Sequence, residues 1–113
     1  MPGTFEIKKA KDGHTFFHLR AANGQIILSS EMYKAKEGAL NGIESVKKNA
    51  PHPERFEKHA SKSGKFYFVL KAANTQVIAN SEMYESEAAR DNGIQAVMHD
   101  APDAKVAELA AAI

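Results

Sequence analysis

The groups in this chain that could do chemistry near neutral pH are five histidines and two copies of Ser-Glu-Met-Tyr, Ser30 to Tyr33 and Ser81 to Tyr84. Histidines hold a divalent ion or relay a proton only when their rings converge on one point. His14 and His18 lie on a turn-and-strand segment, where four residues leave them about 13 Å apart and unable to share an ion. The Ser-Glu-Met-Tyr loops offer two carboxylates, Glu31 and Glu82, and two phenols, Tyr33 and Tyr84. Paired carboxylates act as acid and base only in close proximity, and nothing in the spacing supplies it. Each loop also leads into a helical segment, whose N-terminus can attract an anion. The competing account is structural. Ser30 or Glu31, and Ser81 or Glu82, can satisfy free amides at the helix entrance, while Met32, Tyr33, Met83 and Tyr84 anchor the loop by packing. That account is preferred.

Most other chemistries leave no trace. There is no glycine-rich phosphate loop, nucleophile elbow or metalloprotease helix. The chain has no cysteine, so thiolate nucleophiles, disulfides and sulfur-dependent zinc sites are excluded. No catalytic residue, metal or cofactor is expected. An enzyme centred on Glu31, Glu82, Tyr33 or Tyr84 stays open as a minor alternative.

The loops are duplicated because the whole chain is. A constant shift of 51 lays Phe5 to Pro51 on Phe56 to Pro102 without a gap, with 21 of 47 aligned residues identical. Leu19-Arg20-Ala21-Ala22-Asn23 answers Leu70-Lys71-Ala72-Ala73-Asn74, Asn41-Gly42-Ile43 answers Asn92-Gly93-Ile94, and Ala50-Pro51 answers Ala101-Pro102. No histidine is matched: His14, His18, His52, His59 and His99 stand against Lys65, Val69, Asp103, Lys8 and Lys48. A two-site protein should repeat its chemistry, and what repeats here is mainly turn and packing residues.

These blocks resemble the YegP-like family of small bacterial tandem repeats, over nearly the whole chain. The resemblance implies an α+β fold of two β-β-β-α-β repeats related by a pseudo-twofold axis. They would share one antiparallel sheet of five to eight strands, with two helices on one face and exchange of C-terminal strands. It implies no function, so no site residue is carried over.

The chain of 113 residues suits one modest core, with residues 1–53 and 54–113 as two repeats of a single domain. No stretch approaches the roughly 18 apolar residues of a membrane span, and the first residues lack a signal-peptide pattern, so a cytoplasmic location is expected. The net charge of +1 divides into +3 for residues 1–53 and −2 for 54–113, which reads as drift on solvated faces. A strong nucleic-acid footprint needs a larger basic excess.

Hydrophobic alternation predicts strands over Phe5 to Lys9, Thr15 to Ala21, Gln25 to Ser29 and Phe56 to Ala60, with helices over Ala35 to Asn49 and Ser86 to Asp100. The helical stripes are Ala39, Ile43, Val46 and Ala50, then Ala89, Ile94, Val97 and Ala101. Asn23-Gly24 predicts a two-residue type I′ turn pairing Ala21 with Ile26, Leu19 with Leu28 and Phe17 with Ser30. Asn74-Thr75 holds the same place, and threonine disfavours positive φ, so that turn is either strained or of another type. Glycine inside a helix costs roughly 1 kcal/mol, so Gly42 and Gly93 must allow a close approach to the sheet, with Asn41 and Asn92 bonding neighbouring loops. Lys105 to Leu109 reads as the closing strand the resemblance implies, or from composition as a frayed tail.

The hairpin face opposite Phe17 and Leu19 presents Phe16, His18, Arg20 and Ile27, and in the second copy Tyr67, Val69, Lys71 and Ile78. It lacks the polar character of a solvated sheet face. The favoured function is a non-enzymatic binding or protein-interaction module, using this face or the Ser-Glu-Met-Tyr loops, with a protein partner or a second copy covering it. The alternative is a single-stranded nucleic-acid binder that stacks bases on Phe16 and Tyr67 beside Arg20 and Lys71.

Overall fold

Alternating apolar residues build three strands before each helix, and the computed structural model describes residues 3–108 of the result. The first repeat supplies β1 (Thr4–Lys9), β2 (Thr15–Arg20), β3 (Ile26–Ser30) and α1 (Lys36–Asn49). A single 3₁₀ turn over Pro53–Arg55 leads into β4 (Phe56–Ala60), β5 (Phe66–Lys71), β6 (Val77–Asn80), α2 (Glu87–Asp100) and β7 (Lys105–Glu108). The expected strand at Lys105 is present, and Leu109 lies outside the described residues.

All seven strands form one sheet in the order β4-β5-β6-β3-β2-β1-β7. Leaving β7 aside, the order is a palindrome about the β3–β6 seam, where Ser29 pairs with Asn80 and Ser30 with Ala79. The pairing is antiparallel except at one edge. There β7 runs parallel to β1, with Thr4 opposite Lys105 and Phe5 opposite Val106. This is the implied exchange, made once rather than twice. The residues of the first repeat that correspond to β7 are spent on the 3₁₀ turn and the start of β4.

Both helices lie over the face that carries Phe17, Leu19, Leu28, Phe68, Leu70 and Ala79. These six are fully buried, as are Val46 and Val97 from the helices. Each helix also crosses the seam: α1 reaches β5 and β6, and α2 reaches β3. The helical stripe holds except at one place. The residue equivalent to buried Ala39 is Arg90, not Ala89, and Arg90 is buried with its guanidinium over the Phe66 ring. Parallel aromatic ladders run through the two halves: Phe5 meets Phe17 edge-on and Phe17 stacks on Tyr33, as Phe56 meets Phe68 and Phe68 stacks on Tyr84.

The hairpin turn differs from the type I′ reading. Gly24 N–H bonds Ala21 O at 2.9 Å and Ala21 N–H bonds Gln25 O at 2.8 Å, while Gly24 alone has positive φ. This is a type I turn closed by a bulge residue, so Arg20 rather than Ala21 pairs with Ile26, and Leu19 still meets Leu28. Asn23 is kept for its side chain, whose Oδ1 accepts the Gln25 N–H at 3.0 Å, as Asn74 accepts from Gln76. The second copy has the same turn, with Thr75 forced to φ 72° where Gly24 stands in the first. Both readings of that turn hold: it is of another type than I′, and Thr75 is strained within it.

Candidate functional site

The Ser-Glu-Met-Tyr loops spend nearly every polar group on structure. Ser30 Oγ accepts the Phe17 N–H at 2.9 Å and donates to Glu31 O at 2.8 Å; Ser81 does the same with Phe68 and Glu82 at the same distances. Tyr33 exchanges both backbone hydrogen bonds with Thr15, as Tyr84 does with Phe66. Both phenols point at a helix glycine. A Cβ on Gly42 would fall 2.4 Å from Tyr33 Oη, and one on Gly93 the same distance from Tyr84 Oη. The close approach expected of these glycines is therefore to a tyrosine, with the Phe17 and Phe68 rings next in contact. Burial, then the neighbouring Glu31 or Glu82, raises both phenol pKa values above 10.0, which keeps them protonated.

Glu31 is bonded by Asn80 Nδ2 at 3.2 Å. Because Ser30 pairs with Ala79, Glu31 lies level with Ile78, four residues along the strand from Glu82. The backbones of the two acids are thus roughly 13 Å apart, and they do not form a carboxylate pair. Two expectations fail. The exposed side chains of Asn41 and Asn92 make no hydrogen bond among the described residues, and Met32 and Met83, read as loop anchors, are each 58% exposed. Methionine is the only member of the repeated motif that the fold leaves unused in both copies.

The helix-free face of the sheet is built from the remaining candidates. Strand alternation places Phe16, Arg20 and Ile27 there with Tyr67, Lys71 and Ile78. The centre is closed. Ile27, Val69 and Ile78 are 5%, 6% and 7% exposed although both helices lie on the other side, while Phe16, Arg20, Tyr67 and Lys71 are half-buried around them. The basic groups are neutralised in place by a matched pair of acids: Arg20 Nε lies 2.8 Å from Glu6 Oε1, and Lys71 Nζ 2.7 Å from Glu57 Oε2. The bond from Lys71, then that from His59, holds the Glu57 carboxyl below its ordinary value. The Tyr67 ring is stacked on His59 at 5.1 Å, and Phe16 meets His18 edge-on at 5.3 Å.

Sequence reasoning undervalued His18. It stands where the second copy has Val69, and its Nδ1 is buried with no hydrogen-bond partner. Burial, and secondarily Lys8, lowers its pKa from 6.5 despite the opposing charge of Glu82. Its mismatch with Val69 in the repeat alignment was the available signal. Among the described residues no three His, Asp or Glu side chains converge to hold a metal. Nor, among the described residues, is any helix long and apolar enough to cross a membrane.

One sheet, two helices and a duplicated loop whose serine and tyrosine serve the fold define a tandem α+β repeat protein. A family described as "Domain of unknown function (DUF1508)" matches it twice, over residues 10–57 and 61–108. The chain belongs to this family. A UPF0339 protein from the 5′ region of the ptx operon of Stutzerimonas stutzeri is 58% identical over 109 residues, spanning 96% of this chain and 98% of that one. YegP of Escherichia coli K12, also named a UPF0339 protein, is 48% identical over 97 residues, 86% of this chain and 88% of that one. The fold matches two solution NMR structures at a TM-score of 0.90. One is a UPF0339 protein of Shewanella oneidensis (48% identity; 96% and 92% covered), the other E. coli yegP, titled a protein of unknown function (44%; 96% and 93%).

Proposed function

We propose that this protein is a non-enzymatic binding module that presents the helix-free sheet face and the two Ser-Glu-Met-Tyr loops to a protein partner, in the cytoplasm. The observation that carries the reading is the equal exposure of Met32 and Met83, 58% each, within a motif whose serine and tyrosine are fully engaged. Methionine is flexible and polarisable, which suits it to contact surfaces more than to exposed loops without partners. The site residues are Met32 and Met83 with Glu31 and Glu82 beside them, flanked by the half-buried Phe16, Arg20, Tyr67 and Lys71, while Ile27 and Ile78, expected on this surface, are closed off between them.

The nucleic-acid reading is disfavoured by charge. Arg20 and Lys71, the cations it needs, are already held by Glu6 and Glu57, so phosphate binding would have to break two ion pairs. Ser30 and Ser81 spend both donor and acceptor on the fold, and burial raises the Tyr33 and Tyr84 phenols in pKa, which disfavours them as nucleophiles or bases. Two measurements test the proposal together. Labelled single-stranded RNA and DNA should not bind at low salt, and a Met32→Lys/Met83→Lys variant should lose the proteins that co-purify with the unaltered chain. Salt-sensitive RNA or DNA binding, or identical co-purification by the variant, would defeat it.

A further inference from the structure

The two ends of the palindromic sheet are not equivalent, and the difference exposes a strand-accepting edge at β4. On β1 the edge is covered by β7, and Lys105 N–H bonds Gly3 O at 3.3 Å. Among the described residues the β4 edge has no such cover. Phe68 turns both its peptide groups to the β6 side, its N–H donating to Ser81 Oγ and its carbonyl accepting the Ser81 N–H, so Val69 faces β4 and pairs with Glu57. Alternation then turns the peptide groups of Phe56 and Lys58 away from the sheet. The same residue type reports the consequence: Phe5 is fully buried, whereas its counterpart Phe56 is only half-buried. Beside Phe56 lies a cleft of about 340 Å³, lined also by Pro53, Lys58, Asp91, Ile94 and Met98.

We propose that β4 binds an extended peptide segment of a partner protein as an eighth strand, parallel to β4. Its chemistry is set by what covers the equivalent edge. Val106 lies level with Phe5 and Glu108 level with Ile7. Carried over by the repeat, an aliphatic residue sits over Phe56 in the cleft, and an acidic residue two positions later meets Lys58. That lysine is 53% exposed but already lies 3.2 Å from Asp91, so the acidic position adds little and the aliphatic position dominates. Main-chain hydrogen bonds supply affinity, and the alternate side chains supply selection. This site is separate from the methionine loops, and either can fail without the other.

The test is an NMR titration of the isotopically labelled full chain with a synthetic peptide copying residues 103–108, Asp-Ala-Lys-Val-Ala-Glu. Saturable shifts are expected at the Phe56, Lys58 and Ala60 amides and the Ile94 and Met98 methyls. Val106 is 43% exposed where it lies level with Phe5, so only part of a valine's burial is at stake, and Val106→Asp in the peptide should weaken binding about threefold to fivefold. Lys58→Pro in the protein removes an outward N–H and should abolish the shifts. If that variant fails to fold, slowed amide exchange at Phe56 and Lys58 of the unaltered protein on adding peptide reads the same contact. No shifts at millimolar peptide would overturn the proposal, as would shifts confined to Thr4–Lys9 from displacement of β7. Concentration-dependent β4 shifts without peptide would assign the edge to a second copy, and that also overturns it.

Discussion

Glycine and threonine show at single positions how geometry, not chemistry, governs the repeated residues. At Gly42, alanine would gain about 1 kcal/mol of helix propensity but would place Cβ 2.4 Å from Tyr33 Oη and 2.9 Å from the ring carbon bearing it. Overpacking of this kind costs about 1–3 kcal/mol, and the ring is stacked on Phe17 and cannot swing away freely. Gly42→Ala should therefore lower stability in urea unfolding, and Tyr33→Phe in the same chain should recover part of the loss through non-additive coupling. Thr75 carries the opposite problem. Left-handed strain of about 1–2 kcal/mol exceeds the unfolded-state entropy glycine adds, so Thr75→Gly should raise Tm with a net gain of about 0.5–1 kcal/mol. His18 adds a pH dependence. Its folded pKa lies below 6.5, so the unfolded chain takes the proton first, and stability is full above pH 6.5 and falls below it. Lys8, Glu6, Arg20 and Glu82 face it, with burial the leading cause. His18→Val, the residue of the second copy, should flatten the urea midpoint between pH 7 and 5.5. Acid loss from Glu57, Asp12 and Asp91 should persist, because it begins only below their ordinary values of 4.5 and 3.8.

At the scale of elements, periodicity located both helices and most of the strands because those signals are local. Phe56–Ala60 matches the expected strand, and both helices begin one residue later than read. What sequence could not show depended on partners distant in the chain. The bulge in the β2–β3 hairpin replaces the expected type I′ turn because a type I turn with one positive-φ residue lets Asn23 bond Gln25, and Asn74 alone could not reveal it. Whether β7 formed was open because Lys105–Glu108 gains stability only by pairing with β1, about a hundred residues earlier. The same strand explains why Phe5 and Ile7 are buried while Phe56 and Lys58 are not. A chain ending at Ala104 should lose about 2–3 kcal/mol from partial exposure of Phe5 and Ile7, with hydrogen exchange accelerating first along β1. Unchanged exchange there would show that β7 adds no cover.

Over the whole molecule, the duplication was legible from the 51-residue shift, and the palindromic sheet is its direct consequence. The site was legible only in part. The repeat identified Ser-Glu-Met-Tyr, but the division of labour within it, with serine and tyrosine inward and methionine outward, required the positions of Phe17, Gly42 and their counterparts. Likewise the basic face residues were visible in sequence, whereas their neutralisation by Glu6 and Glu57 depended on strand register. Because α1 and α2 each cross the seam, residues 1–53 alone should show no cooperative unfolding by circular dichroism, while the full chain unfolds in one transition. The central claim, recognition of protein by the methionine loops, is tested most directly by a photo-crosslinking amino acid placed in turn at 32, 83 and the exposed control Lys62 in living cells. The account predicts the same discrete protein adducts from 32 and 83 and none from 62. Nuclease-sensitive adducts, or an identical pattern from all three positions, would contradict it.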